Sequence, residues 1–140
     1  MAEKILVPLD GSPQAQNALS YACETFRDAE LVLVHVLTPA DSGVAPEGLL
    51  TDAAGVVEQQ QRFAETLFDE AVEYVDADRA VETVLLAGSP SREIVAYAAD
   101  NDIDAIVMGS HGRDGAARLL LGSVSETVVR RSPVPVTVVR

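Results

Sequence analysis

Apolar positions along the chain gather into five short runs: Ile5–Leu9, Leu31–Leu37, Val81–Leu86, Ala105–Met108 and Val134–Val139. Continuous rather than alternating apolar runs suit parallel strands covered on both faces. Between the runs, apolar residues recur at helical spacing. Ser12-Pro13 supplies an N-cap and a proline for the first helical position, and Ala15, Ala18, Leu19, Ala22 and Phe26 follow on one face. Ser89-Pro90 repeats that punctuation before Ile94, Val95 and Ala98. The longest helix is predicted from about Val56 to Val75. Phe63, Leu67, Ala71 and Tyr74 form its apolar stripe, and Glu58, Arg62, Glu65 and Asp69 a polar one. Ser123-x-x-Glu126 reads as a capping box opening a last short helix.

This strand–helix alternation predicts an α/β fold: an open, Rossmann-like, five-stranded parallel sheet with helices on both faces. Right-handed crossovers favour the strand order 3-2-1-4-5. The direction of travel then reverses between the first and fourth strands, and ligands of such sheets bind beyond the strands' carboxyl ends at that point. Asp10-Gly11-Ser12 and Gly109-Ser110-His111-Gly112 follow those two strands. Thr38–Gly55, rich in Pro, Gly and Ala, reads as a surface loop, with a flap over the ligand edge as the alternative. With 140 residues and no internal repeat, a single domain over 1–140 is expected.

Charge narrows the choice of ligand. The formal net charge is −12, from 22 acids and 10 bases, and Lys4 is the only lysine. Such a surface repels nucleic acid and anionic membranes, whose affinity comes from Lys and Arg. It suits high salt, where self-repulsion is screened over a few Å, so a halophilic source is expected. The charge is uneven: Asp41–Asp78 holds ten acids and one base, whereas Gly109–Arg131 holds four arginines against two acids. A basic island on an acidic chain invites an anionic ligand. No apolar run is long enough to span a bilayer. The start of the chain lacks a basic segment and cleavage site, so a cytoplasmic protein is expected. Cys23 lies on an apolar helical face and reads as a small buried side chain, and His35 and His111 are too few for a metal site.

The chemistry concentrates in Gly109–Val124. Gly109 ends a strand, Gly112 follows, and after nine intervening residues Gly122-Ser123 opens a helix. Glycine lets a ligand approach the backbone closely, and the first N–H groups of a helix make an anion site. Together they suit a triphosphate cradle to which Arg113 would add charge; the alternative is that the glycines only shape turns and Ser123 only caps a helix. A P-loop NTPase is excluded, because no Gly-Lys-Ser/Thr is present. A dinucleotide fingerprint is missing after the first strand, and a phospho-receiver's Asp and Lys are absent.

Across the whole chain the sequence resembles the universal stress proteins. The resemblance rests on Ile5–Ser12, His35-Val36, Met108–Arg113, Leu119–Val124 and Ser132–Val136. The family's ATP signature, Gly, two residues, Gly, nine residues, Gly-Ser or Gly-Thr, is matched by Gly109, Gly112 and Gly122-Ser123. The resemblance implies that Pro8, Leu9 and Asp10 line the adenosine pocket and that Val36 meets the adenine. It implies that Met108 and Gly109 border ribose and phosphates, and that Gly112, Arg113, Gly122, Ser123 and Val124 hold the phosphates. Asp10 suits either a Mg²⁺ or a ribose hydroxyl. Family resemblance also implies a homodimer through the edge strand Val134–Val139. The expected function is an ATP-binding regulator of the stress response with an unidentified protein partner. The alternatives are a slow ATPase and an interaction module with an empty pocket. No nucleophile–base pair marks an efficient enzyme.

Overall fold

The computed structural model describes residues 3–38, 53–110 and 121–140, with side chains of the second segment from Val57 onward. Nine elements alternate: β1 (Lys4–Pro8), α1 (Pro13–Thr25), β2 (Glu30–Leu37), α2 (Ala53–Tyr74), β3 (Val81–Ala87), α3 (Pro90–Asp100), β4 (Ala105–Gly109), α4 (Ser123–Arg131) and β5 (Val136–Val139). The strands form one parallel sheet in the order β3-β2-β1-β4-β5, as the alternation predicts. The Thr38–Gly55 flap question falls outside the described residues except at its two ends.

Strand alternation divides the core into two layers. Ile5, Val7, Leu9, Leu31, Leu33 and Val107 face α1 and α2, where Ala15, Ala18, Leu19, Ala22, Ala71 and Val75 meet them. Leu6, Val32, Val34, Val36, Ile106 and Met108 face the other way, onto Ile94, Ala98 and Val128 of α3 and α4. β1, β2 and β4 are therefore buried on both faces, as their unbroken apolar runs require.

Several expectations are corrected. β3 is an edge strand, and Glu82, Thr83 and Leu85 are exposed, so it is not covered on both faces. β5 begins at Val136 rather than Val134: Pro133 and Pro135 have no N–H to donate, and Ile106 N–H takes the Pro135 carbonyl at 2.9 Å. The buried stripe of α2 keeps Ala71 as predicted, but its other buried positions are Ala64 and, just past the helix end, Val75, with Phe68 packed beside them. These stand one residue on from Phe63, Leu67 and Tyr74. Small side chains let the helix approach the sheet, while the larger rings flank the contact. Phe63 stays 41% exposed, and Tyr74 donates its hydroxyl to Ser20 Oγ at 3.0 Å. Lastly, the α4 N-cap is Gly122, with Ser123 the first helical residue, so the Ser123–Glu126 capping box does not form.

Arg79 secures the far end of α1. Its guanidinium donates to the carbonyls of Cys23 (3.0 Å), Phe26 (2.6 Å) and Ala29 (3.2 Å). Helix ends leave carbonyls unpaired, and a cation at a helix C-terminus also meets the macrodipole. Cys23 beside it is half-buried, and burial pushes its thiol pKa up.

Candidate functional site

The sheet reverses direction between β1 and β4, so the segments leaving these strands open side by side at their carboxyl ends. β1 ends at Pro8, whose missing N–H is harmless at the last strand position. Leu9 N–H then donates to Val34 O at 2.7 Å. Asp10 is half-buried, and its Oδ1 accepts the Ser12 N–H at 2.9 Å. Ser12 Oγ accepts from Ala15 N–H at 3.1 Å and caps α1. Gly11 between them has φ +85°, a left-handed conformation that glycine adopts without steric cost. A carboxylate is thus held at the head of α1 in a fixed turn.

The register places Leu6 beside Val32 and Ile106. Two residues on, Pro8, Val34 and Met108 share that face, and Val36 extends it at the rim. Pro8, Val36 and Met108 thus stand on the α3/α4 face of the ligand edge. Leu9 does not join them: its side chain is buried in the opposite layer, and its carbonyl lies 2.7 Å from His35 Nδ1.

β4 leads into the second half of the site. Gly109 is glycine for packing: a Cβ there would lie 2.8 Å from the Gln14 backbone carbon and 2.9 Å from Ala15 N. The end of β4 therefore rests directly on the first turn of α1. Ser110 N–H continues the sheet to Val139 O at 2.7 Å. The Ser110 carbonyl turns the other way and accepts both Gly122 N–H (2.7 Å) and Ser125 Oγ–H (2.8 Å). These two bonds tie the N-terminus of α4 to the end of β4. Gly122 has φ −65° and ψ 163°, open to any residue, so its backbone conformation does not demand glycine. Ser123 is exposed and Val124 half-buried against the α3/α4 layer. Gly112, Arg113 and His111 lie outside the described residues.

A nine-residue helix starts at Ser123, and its first N–H groups have no intrahelical acceptor. Beyond the strands' carboxyl ends the chain thus presents a carboxylate turn, an apolar face and a helix N-terminus. That combination suits a ligand with an apolar ring, hydroxyls and anionic oxygens. Sequence reasoning overlooked the tie made by Ser110 and Ser125, because a buried hydroxyl at helix position three has no periodic signal. Nor does spacing bring together His35 and Phe63, whose rings meet edge-on with centroids 5.8 Å apart beneath the Asp10 turn.

Residues 1–140 match the model of the universal stress protein family. The chain is 33% identical to universal stress protein MJ0577 of Methanocaldococcus jannaschii, over all of this chain and 96% of that one. The solved MJ0577 structure superposes with a TM-score of 0.84 over 99% of this chain and 96% of its own. Universal stress protein UspA of Lactobacillus plantarum gives 0.85 at 27% identity, over 99% and 97%. An Arabidopsis thaliana member of the family, solved with AMP bound, gives 0.68 at 17% identity, over 98% and 90%, a likeness of fold.

Proposed function

Since the chain belongs to the universal stress protein family, we propose that it binds an adenine nucleotide, ATP, at the carboxyl edge of its sheet and acts as a nucleotide-dependent regulator in the cytoplasm. The observation that carries this reading is the α4 N-terminus, fixed by the Ser110 carbonyl beside the turn that holds Asp10. A relative of the same fold holds AMP.

In this reading the adenosine lies along Pro8, Val36 and Met108, and Asp10 meets the ribose or a Mg²⁺. The phosphates lie on the N–H groups of Ser123 and Val124, close over Gly122, with Gly112 and Arg113 completing the cradle. Among the described residues no cluster of three or more His, Cys, Asp and Glu is set to hold a metal. A Mg²⁺ would accordingly take most of its ligands from the phosphates and water, its usual habit with nucleotides. The bound nucleotide supplies the charge and shape that a partner protein reads. Among the described residues no helix is long and apolar enough to cross a membrane.

We also propose a homodimer through β5. Its four residues are each only partly buried at the sheet edge, where an apolar strand calls for a cover.

The test is to identify, by mass spectrometry, the small molecule released when the purified protein is denatured, and to measure ATP binding after stripping. Adenine nucleotide in the extract and saturable ATP binding are expected. An empty extract together with no binding would overturn the reading. Timed analysis of the incubated ATP separates pure binding, with ATP intact, from slow hydrolysis.

A further inference from the structure

We propose that His35 and Phe63 are positioning residues for the nucleotide site, acting on Asp10 through the Leu9–Ser12 turn from the opposite face of the sheet. The inference rests on the nucleotide reading above. Residue alternation in β2 sends Val36 toward α3 and α4 and its neighbour His35 toward α1 and α2. His35 is only 6% exposed, and a buried imidazole needs partners. Its Nδ1 is 2.7 Å from the Leu9 carbonyl. A carbonyl only accepts, so Nδ1 carries the proton and donates.

That carbonyl belongs to the peptide joining Leu9 to Asp10. The preceding amide, Leu9 N–H, is already held by Val34 O. His35 therefore sets the plane of the peptide from which Asp10 departs. On the far side, Asp10 is held again by the Ser12 N–H on its Oδ1. Phe63 closes the back of the turn. A Cβ on Gly11 would lie 3.1 Å from Phe63 Cζ and 3.6 Å from Leu67 Cδ2, and the same ring meets His35 edge-on. A ring 41% exposed adds little to the core. Its place against Gly11 and His35 limits how far the turn moves. On the nucleotide reading the carboxylate meets the ligand, while the groups that fix its turn stand on the α1/α2 side of the sheet.

Calorimetric ATP titration and urea unfolding of the parent, His35→Leu, His35→Asn, Phe63→Ala, Asp10→Ala and the His35→Leu/Asp10→Ala pair test this. Removing the hydrogen bond in His35→Leu is expected to weaken ATP binding about tenfold. Asn carries an N–H donor at the matching branch, so His35→Asn should bind within about threefold of the parent. Phe63→Ala, which keeps the bond and loses the ring, should lose about threefold. In the Asp10→Ala background, His35→Leu should change affinity less than about twofold, because the coupling runs through the missing carboxylate. The stability loss should be the same in both backgrounds. Parent-like binding by His35→Leu overturns the inference, and so does a full tenfold loss without Asp10. If His35→Leu does not fold, Phe63→Ala and its pair with Asp10→Ala carry the same comparison. If the parent binds no ATP, the nucleotide reading fails by itself, and amide exchange decides the positioning role. Faster exchange at Ser12 in His35→Leu or, failing that, Phe63→Ala supports it, and unchanged protection overturns it.

Discussion

At Gly109 the backbone of β4 presses on the first turn of α1 so closely that one added carbon meets the Gln14 backbone at 2.8 Å. Neither partner is a flexible side chain, so Gly109→Ala must shift a strand against a helix. Overpacking of this kind costs about 2 kcal/mol, to be read as a lower urea midpoint. Gly122→Ala, in an open conformation at the α4 N-cap, should cost less than about 1 kcal/mol. The two glycines of one motif thus differ in kind, which spacing alone does not reveal. The same holds for Leu9, which the motif groups with Asp10 although its side chain is buried in the opposite layer. Asp10 itself was legible, because an Asp-Gly-Ser following an apolar run is a turn feeding a helix cap. The partners behind it were not, since His35 and the Leu9 carbonyl it holds are 26 residues apart in sequence.

Among the elements, strand runs and Ser-Pro helix starts carried most of the fold, because burial on two faces and fixed proline φ are local demands. What failed were choices settled by neighbours. The α2 stripe keeps Ala71 but takes Ala64 in place of Phe63, because a small side chain fits against the sheet where Phe63 and Tyr74 do not. The capping box gave way because Gly122 and Ser125 are drawn to the Ser110 carbonyl, a contact across 15 residues. The exit of α1 is a further non-local choice, fixed by Arg79 from beyond α2. Arg79→Met keeps much of the stem and loses three hydrogen bonds. It should destabilise the protein by about 2 kcal/mol, given that charged bonds contribute somewhat more than neutral ones. An unchanged urea midpoint would mean that water replaces the guanidinium at no cost.

For the whole molecule, charge and edges decide behaviour. A net charge of −12 on 140 residues repels itself, and added salt screens that repulsion. The thermal midpoint should rise from low to molar salt, whereas a flat profile would count against a high-salt protein. The homodimer proposed through β5 gives a second expectation. Sedimentation should give a dimer at micromolar concentration, and Val138→Lys, which buries a charge in a self-complementary contact, should give a monomer. A monomeric parent would remove the proposed interface. On the proposed reading the α4 N-terminus, held beside the Asp10 turn, receives the phosphates of ATP, and Gly122→Val is the decisive variant. Its backbone angles, φ −65° and ψ 163°, accept a branched residue, while the side chain intrudes where phosphate oxygens approach. In calorimetric titrations the parent should bind ATP, and Gly122→Val should keep its fold by circular dichroism and lose measurable binding. A folded Gly122→Val protein that binds ATP as tightly as the parent would contradict the account.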